Sequence, residues 1–218
     1  MKDIINFNIH KDSYKFILTF GFLSLICLVF FSKFLFWLFF MITAFIVYFF
    51  RSPIRYPPKD SKCILSPADG KISNITLAPL PPELNFGEKK FWRVSIFLSI
   101  FNCHINRIPI KGIIKGIYYK PGQFLNAMKE ESSKLNERNT ILIRSTGDKD
   151  FIMVQIAGMI ARRIVCDINQ EDSVEAGEIM GIIRFGSRVD LYFDESIKPL
   201  VMENQNVYAG ESIIAIDN

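Results

Sequence analysis

From Phe16 to Phe50 the chain runs through 35 residues that only Thr19, Gly21, Ser24, Ser32, Lys33 and Thr43 interrupt. A run of this length and apolarity reads as a membrane segment. It is too long for one upright crossing. A break at Ser32-Lys33 gives two stretches of about 25 Å each at 1.5 Å per residue, slightly short of a ~30 Å hydrocarbon core. The expectation is a tight transmembrane helical hairpin, with a single strongly tilted helix as the alternative. Lys2, Lys11 and Lys15 precede the run and Arg51 and Arg55 follow it, so the positive-inside rule puts both ends on the cytoplasmic side of the cell (inner) membrane. Nothing after Phe50 resembles a small-residue cleavage site. Residues 1–52 are therefore predicted to form a retained anchor.

Pro53, Pro57 and Pro58 end the helix and form a short stiff linker to a domain predicted over 53–218. There, short Ile-, Val-, Phe- and Tyr-rich runs alternate with turn residues, from Cys63–Ser66 through Phe91–Leu98 and Phe151–Ile156 to Ser212–Ile216. That spacing predicts a mainly β fold, a sandwich or barrel, with one short helical piece at Gln123–Lys134. Val174-Glu-Ala-Gly-Glu178 returns as Val207-Tyr-Ala-Gly-Glu211, an echo that fits a barrel-sandwich module with a Gly turn before a strand on each of two facing sheets.

The net charge of +4 is shared between the anchor and a near-neutral domain, which gives no electrostatic case for nucleic acid. Arg51, Arg55, Lys59 and Lys62 cluster just after the apolar run. They read equally well as a solvated flank or as a patch attracted to anionic headgroups at roughly 1 kcal/mol per basic residue. Cys27, Cys63, Cys103 and Cys166 show no CxxC spacing, which fits a reducing compartment and gives no metal cluster.

Few residues are equipped for chemistry. Gly186-Ser187 stands between two strand-like runs with Arg184 and Arg188 on either side, so the serine is set in extended, apolar backbone. His104, the only histidine of the domain, follows the apolar run Phe97–Phe101; it is either a satisfied strand-end histidine or the side chain best able to move a proton near neutral pH. Asp69 in Ser66-Pro-Ala-Asp-Gly70 suits a tight turn, and paired with His104 it would orient the imidazole. Arg162 and Arg163 are adjacent between apolar runs. Either one of them turns into a cleft as a clamp for phosphate or carboxylate, or both decorate an edge strand. A Gly-rich phosphate loop, paired metal ligands and a GxSxG elbow are absent from the sequence.

Four segments in this order resemble the phosphatidylserine decarboxylase proenzymes in their short, membrane-anchored (archaeal-type) form: Ser66–Gly70, Phe101–Pro109, Gly158–Cys166 and Gly181–Asp190. The resemblance covers most of the chain from Pro53 onward. It implies self-cleavage between Gly186 and Ser187 into a β chain, 1–186, and an α chain, 187–218, that stay together as a heterodimer. Ser187 would become a pyruvoyl group, with no metal and no pyridoxal phosphate required. The pyruvoyl ketone would condense with the amine of phosphatidylserine and accept the electrons released with carbon dioxide, giving phosphatidylethanolamine. His104 would be the base, Asp69 its orienting carboxylate, and Arg162, Arg163 and Arg107 candidate substrate contacts. In the wider family a second histidine stands three residues after the first; here Arg107 holds that place. Anionic membrane lipid is the expected surface partner, and a homo-oligomer is left open. A membrane-tethered barrel-sandwich carrier without decarboxylase activity is the alternative, although no lysine sits at the hairpin tip that such a carrier needs.

Overall fold

The computed structural model describes residues 7–84, 86–87, 89–123, 135–158, 163–184 and 187–217. They divide into two compact units, Met1–Ile54 and Arg55–Asn218. In the first, β1 (Phe7–Ile9) leads into α1 (Tyr14–Phe30), and α2 (Lys33–Phe49) into β2 (Arg51–Pro53). The break falls at Ser32, whose backbone is extended and whose hydroxyl accepts the Leu35 N–H to cap α2. The helices pack through Phe20 against Phe39 and through the Ser24 hydroxyl, which donates to the Phe36 carbonyl. β1 pairs antiparallel with β2, Phe7 opposite Pro53, so the hairpin enters and leaves at one end. Leu18, Phe22, Val29 and Phe34 stay bare on the outside. Lys11–Phe30, with a mean hydropathy of 1.9, is long and apolar enough to cross a membrane; α2 is shorter.

The second unit is β-rich, as the turn spacing predicts. Its strands are β3 (Cys63–Leu65), β4 (Gly70–Pro79), β5 (Lys90–Leu98), β6 (Ile105–Arg107), β7 (Gly112–Lys120), β8 (Arg138–Ser145) and β9 (Asp150–Ala157). Then follow β10 (Ile164–Cys166), β11 (Ser173–Val174), β12 (Ile179–Ile183), β13 (Ser187–Asp194), β14 (Asn206–Val207) and β15 (Ile213–Ile216). Of the helical piece expected at Gln123–Lys134, residues 124–134 lie outside the described residues, and Gln123 itself bridges Asn136.

Eight strands form one curled sheet in the order β11-β7-β8-β9-β13-β5-β4-β14. The order is two-fold: β9 and β13 meet at the centre, Met153 opposite Leu191, and each half then runs outward through matching partners. Gly112 faces Val174 in one half and Gly70 faces Val207 in the other. A bulge between Ile114 and Gly116 matches one between Ile72 and Asn74. The two short flanking pairings match as well, β12 with β6 and β15 with β3. Gly70 and Gly112 have the same reason to be glycine, because a Cβ would stand 2.3 Å from the Phe97 carbonyl oxygen and 2.2 Å from that of Arg144. The Val-x-Ala-Gly-Glu echo is the sequence trace of this duplication, with Gly177 and Gly210 at positive φ (83° and 75°) before β12 and β15.

One half, β6 through β12, is thus inserted between β5 and β13 of the other. Re-entry from the inserted half falls at residues 184–187. The sheet's inner face carries the main core, with Val94, Ile96, Leu98, Met153, Val189, Leu191 and Phe193 all buried. Each such side chain is worth roughly 1.5–3 kcal/mol against exposure. A smaller cluster on the outer face gathers Phe91, Ile152, Val154, Ile156 and Tyr192.

Candidate active site

Alternation along β13 sorts its side chains: Ser187, Val189, Leu191 and Phe193 face the main core, while Arg188, Asp190 and Tyr192 face the other side. Ser187 is the first residue of the strand, two positions earlier than the apolar run from Val189 predicts, because it already pairs with Leu98 of β5 and Ala157 of β9. Its side chain is fully buried, and Oγ has no hydrogen-bond partner among the described residues. A buried hydroxyl without a partner forfeits about 1–3 kcal/mol and is uncommon in folded proteins. Gly186 lies outside the described residues.

His104 is fully buried at the other end of the loop that leaves β5 beside Ser187. The loop is held by the Asn102 carboxamide oxygen, which accepts both the N–H and the hydroxyl of Ser99 at 2.8 Å. The His104 ring places Nδ1 3.1 Å from the Asn102 carbonyl oxygen. A carbonyl only accepts, so Nδ1 carries the proton and Nε2 is the basic nitrogen. The His104 carbonyl in turn accepts the N–H of Ile183, and the Arg163 carbonyl that of Arg184. The backbone leading to Ser187 is therefore anchored at both residues before 185.

Asp69 is buried in its turn, with Oδ1 accepting the Ala209 N–H at 2.7 Å and Oδ2 paired with Arg55 Nη2 at 2.6 Å. Burial works against the Arg55 charge, but Asp69 and Glu211 outweigh it and raise its pKa. The turn is tied to the strand after His104, since the Arg107 N–H donates to the Pro67 carbonyl. Arg107 is buried too, and its Nη1 donates to the Gly177 carbonyl at 2.8 Å. Its pKa is lowered, first by burial and further by the neighbouring Arg55 charge. Arg163 is exposed, and Arg162 lies outside the described residues.

Two polar arrangements escape the sequence reading. Across the inner face, Asn139 Nδ2 donates to Gln155 Oε1 at 3.1 Å, and Gln155 Nε2 donates to Asn106 Oδ1 at 2.8 Å. All three amides are buried, and among the described residues Asn106 Nδ2 and Asn139 Oδ1 have no partner. The available signal is a single amide at an inward position of an otherwise apolar strand. On the outer face, Arg188 and Asp190 form a buried ion pair with two bonds of 2.7 Å. Beside it a cavity of about 580 Å³ is lined by Arg93, Arg138, Asp190, Tyr192 and the apolar Ala78–Pro82 stretch; Ser187 and His104 take no part in its lining. Among the described residues, no three His, Cys, Asp or Glu side chains converge to hold a metal ion.

A family model described as phosphatidylserine decarboxylase matches residues 42–215. A phosphatidylserine decarboxylase proenzyme of Rickettsia typhi is 45% identical over 207 residues, covering 95% of this chain and 89% of its own. Proenzymes of the same name from Rickettsia felis and Rickettsia bellii are 46% identical with the same coverage.

Proposed function

The chain belongs to the phosphatidylserine decarboxylase family, and on that premise we propose that it is a proenzyme which cuts itself between Gly186 and Ser187 to become active. The reaction is that of a carboxy-lyase, phosphatidylserine giving phosphatidylethanolamine and carbon dioxide. The observation that supports self-cleavage most is the buried Ser187 hydroxyl, held without a partner on an inner strand. Such a group fits a nucleophile awaiting its electrophile better than a structural serine.

Maturation follows from these residues. His104 Nε2 removes the Ser187 hydroxyl proton as Oγ attacks the Gly186 carbonyl, and the amide becomes an ester with its nitrogen freed as the amine. Loss of the Ser187 Cα proton then breaks the Cβ–Oγ bond. The Gly186 carboxylate leaves, and residue 187 is left as dehydroalanine. Water converts this to a pyruvoyl group and ammonia. Formed from Ser187's own atoms, the group fits the space that the side chain already occupies. When present it supplies a carbonyl that takes the substrate amine and the electron pair released with carbon dioxide.

The protein's other contributions are positional. His104, set in its tautomer by the Asn102 carbonyl, stands ready to move protons, and Asp69 holds the adjoining turn. The dry surroundings of Ser187 strengthen every charge interaction made there. Arg107, Arg162 and Arg163 are the candidate contacts for the substrate's phosphate and carboxylate. The apolar hairpin keeps the domain at the lipid surface, on the cytoplasmic face of the inner membrane.

Denaturing electrophoresis with intact-mass measurement tests the reading. Wild-type protein should appear as two fragments, the shorter spanning 187–218, and Ser187→Ala as one inactive chain of 25.2 kDa. A wild-type chain that remains whole at 25.2 kDa would overturn it.

A further inference from the structure

Among the described residues the inner sheet face carries three buried polar atoms without partners, Ser187 Oγ, Asn106 Nδ2 and Asn139 Oδ1, and the first two are linked through Gln155. Gln155 faces Val189, the next inward residue of β13 after Ser187, so it is a diagonal cross-strand neighbour of Ser187 at roughly 7–8 Å between Cα atoms. Gln155 in turn holds Asn106, which stands two residues after His104. Nucleophile, base and open amide therefore gather around one stretch of backbone.

The direction of the amide chain matters. Asn139 donates to Gln155 and Gln155 donates to Asn106, so the chain ends in an open acceptor, Asn139 Oδ1, and an open donor, the Asn106 NH₂, and only the donor can serve an oxyanion. Keeping a fully buried donor open in the uncut chain costs about 1–3 kcal/mol. A donor that serves a transition state has this property, because it is aimed at where an oxyanion forms and not at the resting carbonyl oxygen.

We infer that Asn106 Nδ2 is the hydrogen-bond donor to the oxyanion that forms on the Gly186 carbonyl when Ser187 attacks it, with Gln155 and Asn139 as positioning residues. The inference rests on the self-cleavage reading above. In the step itself, the Ser187 Oγ–carbon bond forms and the carbonyl π pair moves onto oxygen, where Asn106 donates. Collapse of that oxyanion expels the residue 187 nitrogen as the amine, which takes up the proton held by His104. No oxidant or further reactant enters.

The test is the rate at which full-length chain, synthesised cell-free in the presence of phospholipid vesicles, converts to its two fragments. Asn106→Ala should slow cleavage by about 10²–10³-fold, the usual effect of losing one oxyanion donor, and leave the pH midpoint of the rate unchanged. Gln155→Glu should slow it as much, because a carboxylate at 155 cannot donate to the Asn106 oxygen and turns the amide the wrong way round. Thermal melting of the uncleavable Ser187→Ala chain should fall modestly with Asn106→Ala, because Gln155 Nε2 loses its acceptor, while the β signature by circular dichroism is kept. Cleavage of Asn106→Ala at the wild-type rate would overturn the inference, as would slowing accompanied by a shifted pH midpoint or by loss of the β signature. A wild-type chain that does not cut would instead overturn the self-cleavage reading itself.

Discussion

The carbonyl of His104 accepts the backbone N–H of Ile183 at 3.4 Å, four residues before Ser187. The bond joins main chain to main chain, so replacing the imidazole leaves it in place. His104→Ala should therefore fold, retain its β signature by circular dichroism, and fail to cut itself or cut very slowly on a denaturing gel. Cleavage at the normal rate would remove His104 as the base.

The shorter fragment should stay bound after the cut. β13 is paired along its length with β5 and to Tyr192 with β9, and Val189, Leu191 and Phe193 are fully buried. Gel filtration in mild detergent should keep both fragments in one peak, and denaturant should separate them. Loss of the 187–218 fragment under native conditions would contradict this pairing as the link between the chains.

Asp69 and Arg55 can be separated by substitution. Asp69→Asn keeps an oxygen for the Ala209 N–H and loses the ion pair, whereas Arg55→Ala keeps the carboxylate and loses the ion pairs to both Asp69 and Glu211. If the carboxylate orients and charges against His104, Asp69→Asn should slow cleavage by about 10³–10⁴-fold, the scale of a lost triad carboxylate, and Arg55→Ala far less. Equal effects would reduce Asp69 to a fastener of its turn.

Acid should weaken the outer face through Glu83. Burial favours its neutral form, but two bonds from Arg138 and one from Thr140 outweigh that and hold its pKa at about 2, below the ordinary 4.5. A carboxylate with a depressed folded pKa contributes stability that is complete above the unfolded value and is lost as pH falls from about 4.5 toward 2. Glu83→Gln should lower stability at pH 7 by roughly 3 kcal/mol, since Arg138 then lacks its paired carboxylate. The urea midpoint of the variant should also fall less than that of wild type between pH 5 and pH 3. A parallel fall would assign the acid sensitivity to other groups.

The hairpin, the β-rich domain and its longer strands are legible because each rests on local pattern, a run of apolar residues broken at Ser32 and short β-branched runs set off by turn residues, whereas the two- and three-residue strands β6, β11 and β14 are not. The duplication was only half legible. Val-x-Ala-Gly-Glu repeats in sequence, but the matched bulges and the paired Gly70 and Gly112 contacts depend on strands distant along the chain. The apolar run begins at Val189, two residues after β13 does, for the same reason, since Ser187 joins the ladder through Leu98 and Ala157 and not through its own propensity. Arg163, a candidate clamp in sequence, has an exposed side chain.

By itself the sequence determined the chemistry available: one serine after a glycine within strand-like runs, one domain histidine, and a turn aspartate. It did so because nucleophiles and bases are residue types and can be counted. Only the tertiary structure decided which groups share the interior with Ser187. Inward and outward faces follow from pairing register, and a one-residue change of register moves every side chain to the other face. That is why Gln155, unremarked in sequence, is a diagonal neighbour of Ser187 and holds Asn106, while Arg188, the chain neighbour of Ser187, points to the opposite side.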